Sequence, residues 1–322
     1  MMVGVFVAGN LVAAISPNYA ILAAARVLAA FAHGTLFGVG AVVAAGMVPQ
    51  NKQASAIGLM FLGLTLANVL GVPLGTLVGQ NFGWRATYGV LTALGLIALI
   101  PVYWLVPDIA TTRTEGGMRR EMSVLRQTDV LIAILTTVLG SASTFTLFTY
   151  IVPILQDESG FAPGNISLIL FMVGVALTIG ITLGGKFSDR GAMRAMITML
   201  GALVVALLAL PLVLDSKVAT LAVIFVWAMA AFGLVPGFQS RVVDKARQAP
   251  NLASTLNIAG FNLGNAFGAF LGGFVIDSGL GLRAVPVAAA RVAAAGVALA
   301  VLGTLRDRQA AQGGVAGGTP PR

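Results

Sequence analysis

The chain has no cysteine and a single histidine, His33. It therefore has no disulfide, thiolate nucleophile or thiolate metal site, and one imidazole cannot build a multi-histidine centre. Charge is scarce as well. Asp, Glu, Lys and Arg make up 9% of the 322 residues, against about 25% in soluble domains. That scarcity excludes a water-soluble enzyme and a disordered protein. What remains is apolar: 58% hydrophobic side chains, a mean hydropathy of +0.95 and 40 glycines. Such a composition suits closely packed helices inside a bilayer.

Roughly 20 apolar residues cross a hydrocarbon core about 30 Å thick. Runs of this kind are predicted over 3–16, 20–48, 55–78, 86–106, 129–155, 163–185, 193–214, 218–238, 252–276 and 284–305. Short polar breaks such as Ser16-Pro17-Asn18 and Asp215-Ser216-Lys217 separate them. Only the stretch from Pro107 to Thr128 has the length of an inter-domain loop. It divides an N-terminal region, 1–106 with four spans, from a C-terminal region, 129–305 with six. The Gly-, Gln- and Pro-containing tail, 306–322, is expected to be disordered and cytoplasmic.

A net charge of +8 and a pI near 10.6 would fit a nucleic-acid partner if the bases clustered on a soluble surface. They do not. Alternate loops and the tail place Lys52, Arg113, Arg119, Arg120, Arg126, Lys186, Arg190, Arg194, Arg241, Lys245, Arg247, Arg306, Arg308 and Arg322 on one side of the membrane. The other side receives only Arg85, Lys217 and Arg283, while Arg26 and Arg291 fall inside spans. This positive-inside bias makes the fourteen-base side cytoplasmic, with both chain ends on it, and nucleic acid drops out.

The chain also repeats itself. Asn68-Val-Leu-Gly71-Val-Pro-Leu-Gly75 aligns with Asn265-Ala-Phe-Gly268-Ala-Phe-Leu-Gly272, and Gly83-Trp-Arg85-Ala86 aligns with Gly281-Leu-Arg283-Ala284. Both members of each pair cross in the same sense, so the repeat is parallel. Six spans in one half and four in the other read most economically as a six-plus-six architecture without its first two spans.

On these residues the chain resembles the major facilitator superfamily, and within it the drug:proton antiporter branch that includes chloramphenicol and arabinose efflux permeases. Gly63, Gly71, Pro73, Gly75 and Gly79 resemble the antiporter motif of that family's fifth helix, with Val72 where glycine is usual. Leu22-Ala-Ala-Ala-Arg26 followed by Gly34 resembles the fourth-helix motif, with Ala29-Ala30 in place of Gln-Gly. Gly185-Lys-Phe-Ser-Asp189-Arg190-Gly191-Ala-Met-Arg194 resembles the cytoplasmic loop motif, and Thr149-Tyr150-Ile-Val-Pro153 the end of the seventh helix. The resemblance runs from residue 1 to about 305. It implies an all-α integral membrane protein of two pseudo-symmetric helical bundles, about ten spans of an expected twelve, and a chain that begins inside the third helix. It further implies a secondary transporter in the cell membrane that exports drug- or sugar-type molecules by proton antiport and alternating access, a monomer when full length. On the same reading this chain alone is a poor transporter, and the alternative is a non-transporting fragment.

Particular residues carry the functional expectation. The resemblance turns Arg26 toward the transport path, where a charge needs a partner or a wet cavity; Arg291 can snorkel to the headgroups. His33 lies two helical turns from Arg26 and is the one group near the midplane that titrates close to neutral pH. No Asp or Glu lies deep in any span. Ser141, Thr144, Phe148, Thr149 and Tyr150 make the fifth span polar and aromatic, and Asn257, Asn262 and Asn265 do the same for the ninth, which suits an uncharged or amphipathic organic solute. With Asn68, these are the candidate pathway residues; Ser and Thr could equally bond back to their own helix. Gly260, Gly264, Gly268 and Gly272 recur every four residues on one face. They are expected either to pack a neighbouring helix or to slide against Gly71 and Gly75, with Pro73 as a bending point. Asp189, with Arg190 and Arg194 beside it, is expected to latch the cytoplasmic mouth through an arginine, or the bases to anchor the membrane surface. An intramembrane enzyme would need paired carboxylates or a histidine cluster at depth, and the sequence offers neither. No cofactor or metal is implied; the partners are lipid, a small organic solute and protons.

The topology has a direct test. In this cysteine-free background Gly116→Cys is expected to resist an impermeant thiol reagent in intact cells and to react after permeabilisation. Labelling from outside reverses the assignment.

Overall fold

The computed structural model describes residues 2–105 and 126–316, and only the backbone of Asn68 and Pro73. Most of the expected inter-domain loop lies outside the described residues. Among them there is no strand. Ten helices follow one another: α1 (Met2–Ile15), α2 (Tyr19–Gly46), α3 (Gln53–Leu66), α4 (Val72–Phe82), α5 (Trp84–Leu105), α6 (Thr128–Phe148), α7 (Pro163–Val213), α8 (Lys217–Lys245), α9 (Pro250–Val275) and α10 (Ala284–Ala316). Seven helices are long and apolar enough to cross a membrane, and α1 is a shorter apolar one. With 51 residues, about 75 Å of helix, α7 is too long for one crossing. It breaks at Gly191 and so contains both the 163–185 and 193–214 runs.

Local chemistry explains where these helices start and stop. Asn18 and Ser216, 198 residues apart, each cap the following helix, accepting from the Ile21 and Ala219 amides at 3.0 and 3.5 Å. Gly83 and Gly281, again 198 apart, hold φ values of 83° and 76°, left-handed geometry that a Cβ disfavours, just before α5 and α10. Two residues on from each stands an arginine that staples a neighbouring loop. Arg85 donates to the Ser16 carbonyl at 2.9 Å, and Arg283 binds Asp215 and Glu158, both at 2.7 Å. The hydrogen bonds that Arg283 donates to Glu158 and then to Asp215 push its pKa above the ordinary value, so it stays a fixed cation. The repeat is thus one of geometry as well as of letters.

The glycine motif of the third span is where its regular α-helix is interrupted. A π turn at Ala67–Gly71 separates α3 from α4, and Pro73, lacking an amide hydrogen, sits at the start of α4. Beyond α6, a second break at Thr149-Tyr150 precedes the single turn Ile151–Pro153.

Within α6–α10 the helices touch backbone to backbone. A Cβ on Gly180 would lie 2.3 Å from the Met229 carbonyl, and one on Gly184 2.1 Å from the Gly233 carbonyl, so α7 and α8 meet where side chains are missing. Around that seam Trp227, Phe238, Leu200, Leu203 and Leu207 are fully buried. The glycine stripe of α9 packs on α6: Cβ atoms at Gly264 and Gly268 would fall 2.5 Å from the Val138 and 2.3 Å from the Ala142 carbonyl. The expectation that this stripe slides against Gly71 and Gly75 is therefore corrected. Gly63 and Gly71 face open space, while Gly75 and Gly79 meet only Thr87 of α5, because α4 stands beside α5.

The first five helices join the last five mainly where α3 meets α7 and α2 meets α9, with α3 also touching α8. Here too glycine permits the approach. Gly58 faces the Ile181 carbonyl at 3.2 Å, Gly185 the Ser55 Cα at 2.9 Å and Gly38 the Thr255 Cα at 2.6 Å, measured from an added Cβ.

The tail departs from expectation. Residues 306–316, read as disordered, continue α10. Ion pairs hold its beginning: Asp307 to Arg241 and Lys245, and Arg306 to Asp129 at 3.0 Å, which tie α10 to α8 and α6. Residues 317–322 lie outside the described residues.

The seam predicts an asymmetry between two glycines of matching motif. Gly268→Ala is expected to cost about 1–3 kcal/mol through overpacking against Ala142. Gly71→Ala should be near neutral, since among the described residues nothing lies within 4 Å of the added methyl. Thermal unfolding of the two variants in detergent measures the difference; equal stability overturns the packing account.

Candidate functional site

A cavity of about 280 Å³ opens where α2 and α3 face α6, α7, α8 and α9. Its size suits a small organic molecule. Its walls are aromatic. The rings of His33 and Phe37 are 4.7 Å apart, Phe37 and Phe61 5.3 Å, Phe61 and Phe261 6.5 Å, and Phe261 and Phe238 6.1 Å. These contacts form one chain of rings across α2, α3, α9 and α8, with successive ring planes tilted by 36–55°.

Set into that wall are a few polar groups. Ser141 donates to Asn265 Oδ1 at 2.5 Å, with the Phe261 carbonyl 3.1 Å away. Thr144 donates back to the Gly140 carbonyl at 3.0 Å, and Asn262 Nδ2 to the Ile258 carbonyl at 2.9 Å. This leaves Asn265 Nδ2 as a donor and Asn262 Oδ1 as an acceptor, neither with a partner among the described residues, and the His33 imidazole beside them. Among the described residues, no carboxylate, lysine or arginine lines the cavity. It can hold an uncharged body by its rings and orient it with one or two hydrogen bonds.

Of the predicted pathway residues, His33, Thr144, Asn262 and Asn265 come together here. Arg26 does not; its guanidinium lies over the Tyr88 ring of α5, 5.6 Å from the centroid. Phe148 stacks on Trp227 in the core, and Tyr150 donates to the Ala269 carbonyl at 3.0 Å, closing over Gly272 and Gly273. The Asn68 side chain is outside the described residues.

Below the ring chain, toward the base-rich end, two polar joints close the gap between helix groups. Asp189 accepts from the Ala54 amide at 2.8 Å, from the Ser55 amide at 3.2 Å and from the Ser55 hydroxyl. Its carboxylate thus sits on the first turn of α3, where free amides and the helix dipole favour an anion. The expected arginine partner is replaced by backbone. The second joint is buried: Ser254 donates to the Gly38 carbonyl at 2.6 Å and also contacts Gln239, which accepts from Asn257 at 2.7 Å. Among the described residues, every hydrogen bond between the two helix groups belongs to one of these joints.

Comparison with known proteins bears on the same arrangement. The family model described as Major Facilitator Superfamily matches residues 1–254. The chain belongs to the Major Facilitator Superfamily. It is 43% identical over 293 residues to the inner membrane transport protein YdhP of Escherichia coli strain K12, covering 91% of this chain and 75% of that one. It is also 34% identical over 266 residues to a chloramphenicol resistance protein of Streptomyces lividans, covering 82% and 68% of the two chains. Among solved structures the FucP transporter in the outward conformation superposes with a TM-score of 0.78 at 15% identity, covering 94% of this chain and 81% of that one. The chain is thus a membrane-embedded transporter with the superfamily's helical fold.

Most of the ring chain is absent from the sequence-derived site of this superfamily member. Each phenylalanine lies in an apolar run that reads as core, and only the superposition of four helices makes them a wall. Ala54 and Gly38 escaped for a related reason: their role lies in backbone groups, which no residue type advertises.

Removal of the Asp189 carboxylate is expected to weaken the joint by about 2 kcal/mol, the scale of hydrogen bonds to a charged group. Asp189→Ala should lower the unfolding midpoint more than Ser55→Ala, which spares both amide bonds. The reverse order would discard the helix-end assignment.

Proposed function

We propose that this chain is a secondary active exporter of small, uncharged or amphipathic organic molecules, of drug rather than sugar type, that works by alternating access with protons moving in the opposite sense. The observation that carries the reading is the cavity itself. Both helix groups line it, and both joints that close it lie toward the base-rich end. On this reading the regions 1–106 and 129–305 are two pseudo-symmetric bundles with ten spans between them, in the cell membrane with both ends cytoplasmic. The described state is then closed to the cytoplasm, in keeping with its likeness to an outward conformation. Antiport is the finer step. His33 is the titratable group in the cavity, and its protonation and solute binding compete for one small space. The six phenylalanines and scarce polar groups favour an amphipathic solute over a sugar, whose many hydroxyls need many partners. The relative in Streptomyces lividans named for chloramphenicol resistance supports the same class.

Chloramphenicol accumulation in cells expressing the chain tests this. Expression should lower accumulation, and a protonophore should restore it. Asn265→Ala is expected to weaken export two- to tenfold by removing one hydrogen bond, and His33→Gln to leave solute binding while abolishing the response to the proton gradient. Export indifferent to the protonophore removes antiport from the proposal. Arabinose export with no effect on chloramphenicol replaces the solute class.

A further inference from the structure

A second, larger opening lies on the opposite face of α7 and α8 from the central cavity. Gly180 and Ala230 line it, whereas their neighbours Ile181 and Ala231 line the central one. It is a groove of about 490 Å³, bounded by the two limbs of α7 on either side of the Gly191 break and by α8. Phe187 and Val226, 45% and 50% exposed, form its outer rim, so it opens to the surroundings of the protein. Its walls are apolar except at one end, where Arg190, Arg194 and Thr198 stand together.

Those two arginines differ from the bases at the same end that are held in ion pairs. Arg241, Lys245 and Arg306 are paired with Asp307 and Asp129, and Arg247 with Asp244. Arg190 and Arg194 are exposed and have no carboxylate partner among the described residues. The carboxylate adjacent in sequence, Asp189, is committed to α3. From Arg190 to Gly180 the groove follows ten helical residues, about 15 Å, which is half the thickness of a hydrocarbon core. A double positive charge at headgroup level, continued by one leaflet's depth of apolar groove, matches one kind of molecule.

We propose that this groove is a binding site for an anionic phospholipid of the leaflet at the base-rich end. Arg190 and Arg194 hold its phosphate, and one acyl chain lies along Phe187, Met199, Val226 and Met229. Two guanidiniums presented together suit phosphate oxygens through paired N–H donors, which water or a zwitterionic lipid would satisfy less well. A free phosphate would meet the arginines but leave the apolar walls bare. This site is independent of the export reading, since it shares no residue with the central cavity.

The test is lipid retention by the purified full chain in nonionic detergent, read by native mass spectrometry with phosphatidylglycerol and phosphatidylcholine of equal chain length. Phosphatidylglycerol should be held preferentially, and R190Q/R194Q should weaken it about twenty-five-fold, the scale expected for two bases near an anionic headgroup. R190K/R194K should keep part of the preference and shows that the loss is one of charge rather than of folding. Thr198→Trp, which narrows the groove, should reduce retention with both arginines present. Lys52→Gln, a base at the same end outside the groove, should change nothing. Equal retention of the two lipids, wild-type retention by R190Q/R194Q, an equal loss in Lys52→Gln, or complete displacement by soluble glycerol phosphate would each overturn the proposal.

Discussion

Helices within a bilayer gain little by hiding apolar surface from one another, because lipid tails are equally apolar. What binds them is close backbone contact, and in this protein that contact occurs where glycine leaves out a side chain. Gly180 and Gly184 bring α7 onto α8, and Gly264 and Gly268 bring α9 onto α6. Gly38, Gly58 and Gly185 are the corresponding points between the two helix groups. Within α6–α10 these contacts are extended and backed by a large buried core; between the groups they are few and reinforced by two polar joints. The difference matters. A region sealed by many close contacts moves as a unit, whereas the seam between the groups, with three glycines, two polar joints and a small apolar cluster around Ile57, Phe61, Ile181 and Ile258, is the lighter contact.

The helical architecture was legible because its signals are summed over long windows: apolar runs, polar breaks and the sidedness of the bases. The parallel repeat was legible too, and it extends to the caps Asn18 and Ser216 and to the loop staples of Arg85 and Arg283. Partners were not legible. A four-residue glycine spacing defines a face without naming the helix that covers it, which is why the stripe of α9 was matched to Gly71 when α6 covers it. Asp189 illustrates the same limit. Matching charges by residue type looks for an arginine, while the first turn of α3 presents amide donors that any sequence would present. The tail was misjudged from its glycine and glutamine content, since the ion pairs of Asp307 and Arg306 depend on α6 and α8 lying alongside.

The cavity was half legible for a similar reason. Polar residues in apolar helices stand out, and five of those singled out line it: His33, Ser141, Thr144, Asn262 and Asn265. Phe148 and Tyr150 stood out equally but are spent on packing against Trp227 and over Gly272. Conversely, Phe37, Phe61, Phe238 and Phe261 are inconspicuous one at a time. Their chain of ring contacts arises only where four helices converge, and the same rings that line the solute space also join the two helix groups, Phe61 to Phe261.

That double duty constrains how a transporter of the proposed kind would cycle. To open toward the base-rich end it must part Phe61 from Phe261, lift Asp189 from the α3 amides and break the Ser254 bond to the Gly38 carbonyl. The Asp189 joint is only partly buried, so water can replace much of what is lost there. Ser254 and Gly38 are fully buried, and their separation carries the larger desolvation cost. The energy to meet that cost has to enter through groups that feel both states, and in the cavity these are the aromatic wall and His33. A solute wedged among the rings acts on the same contacts that separation disturbs. Protonation of one imidazole adds a charge to a site that contains no carboxylate to accept it. Each therefore presses on the closed form from within, and the two cannot comfortably share about 280 Å³. Exchange of one for the other is the coupling that such a geometry favours.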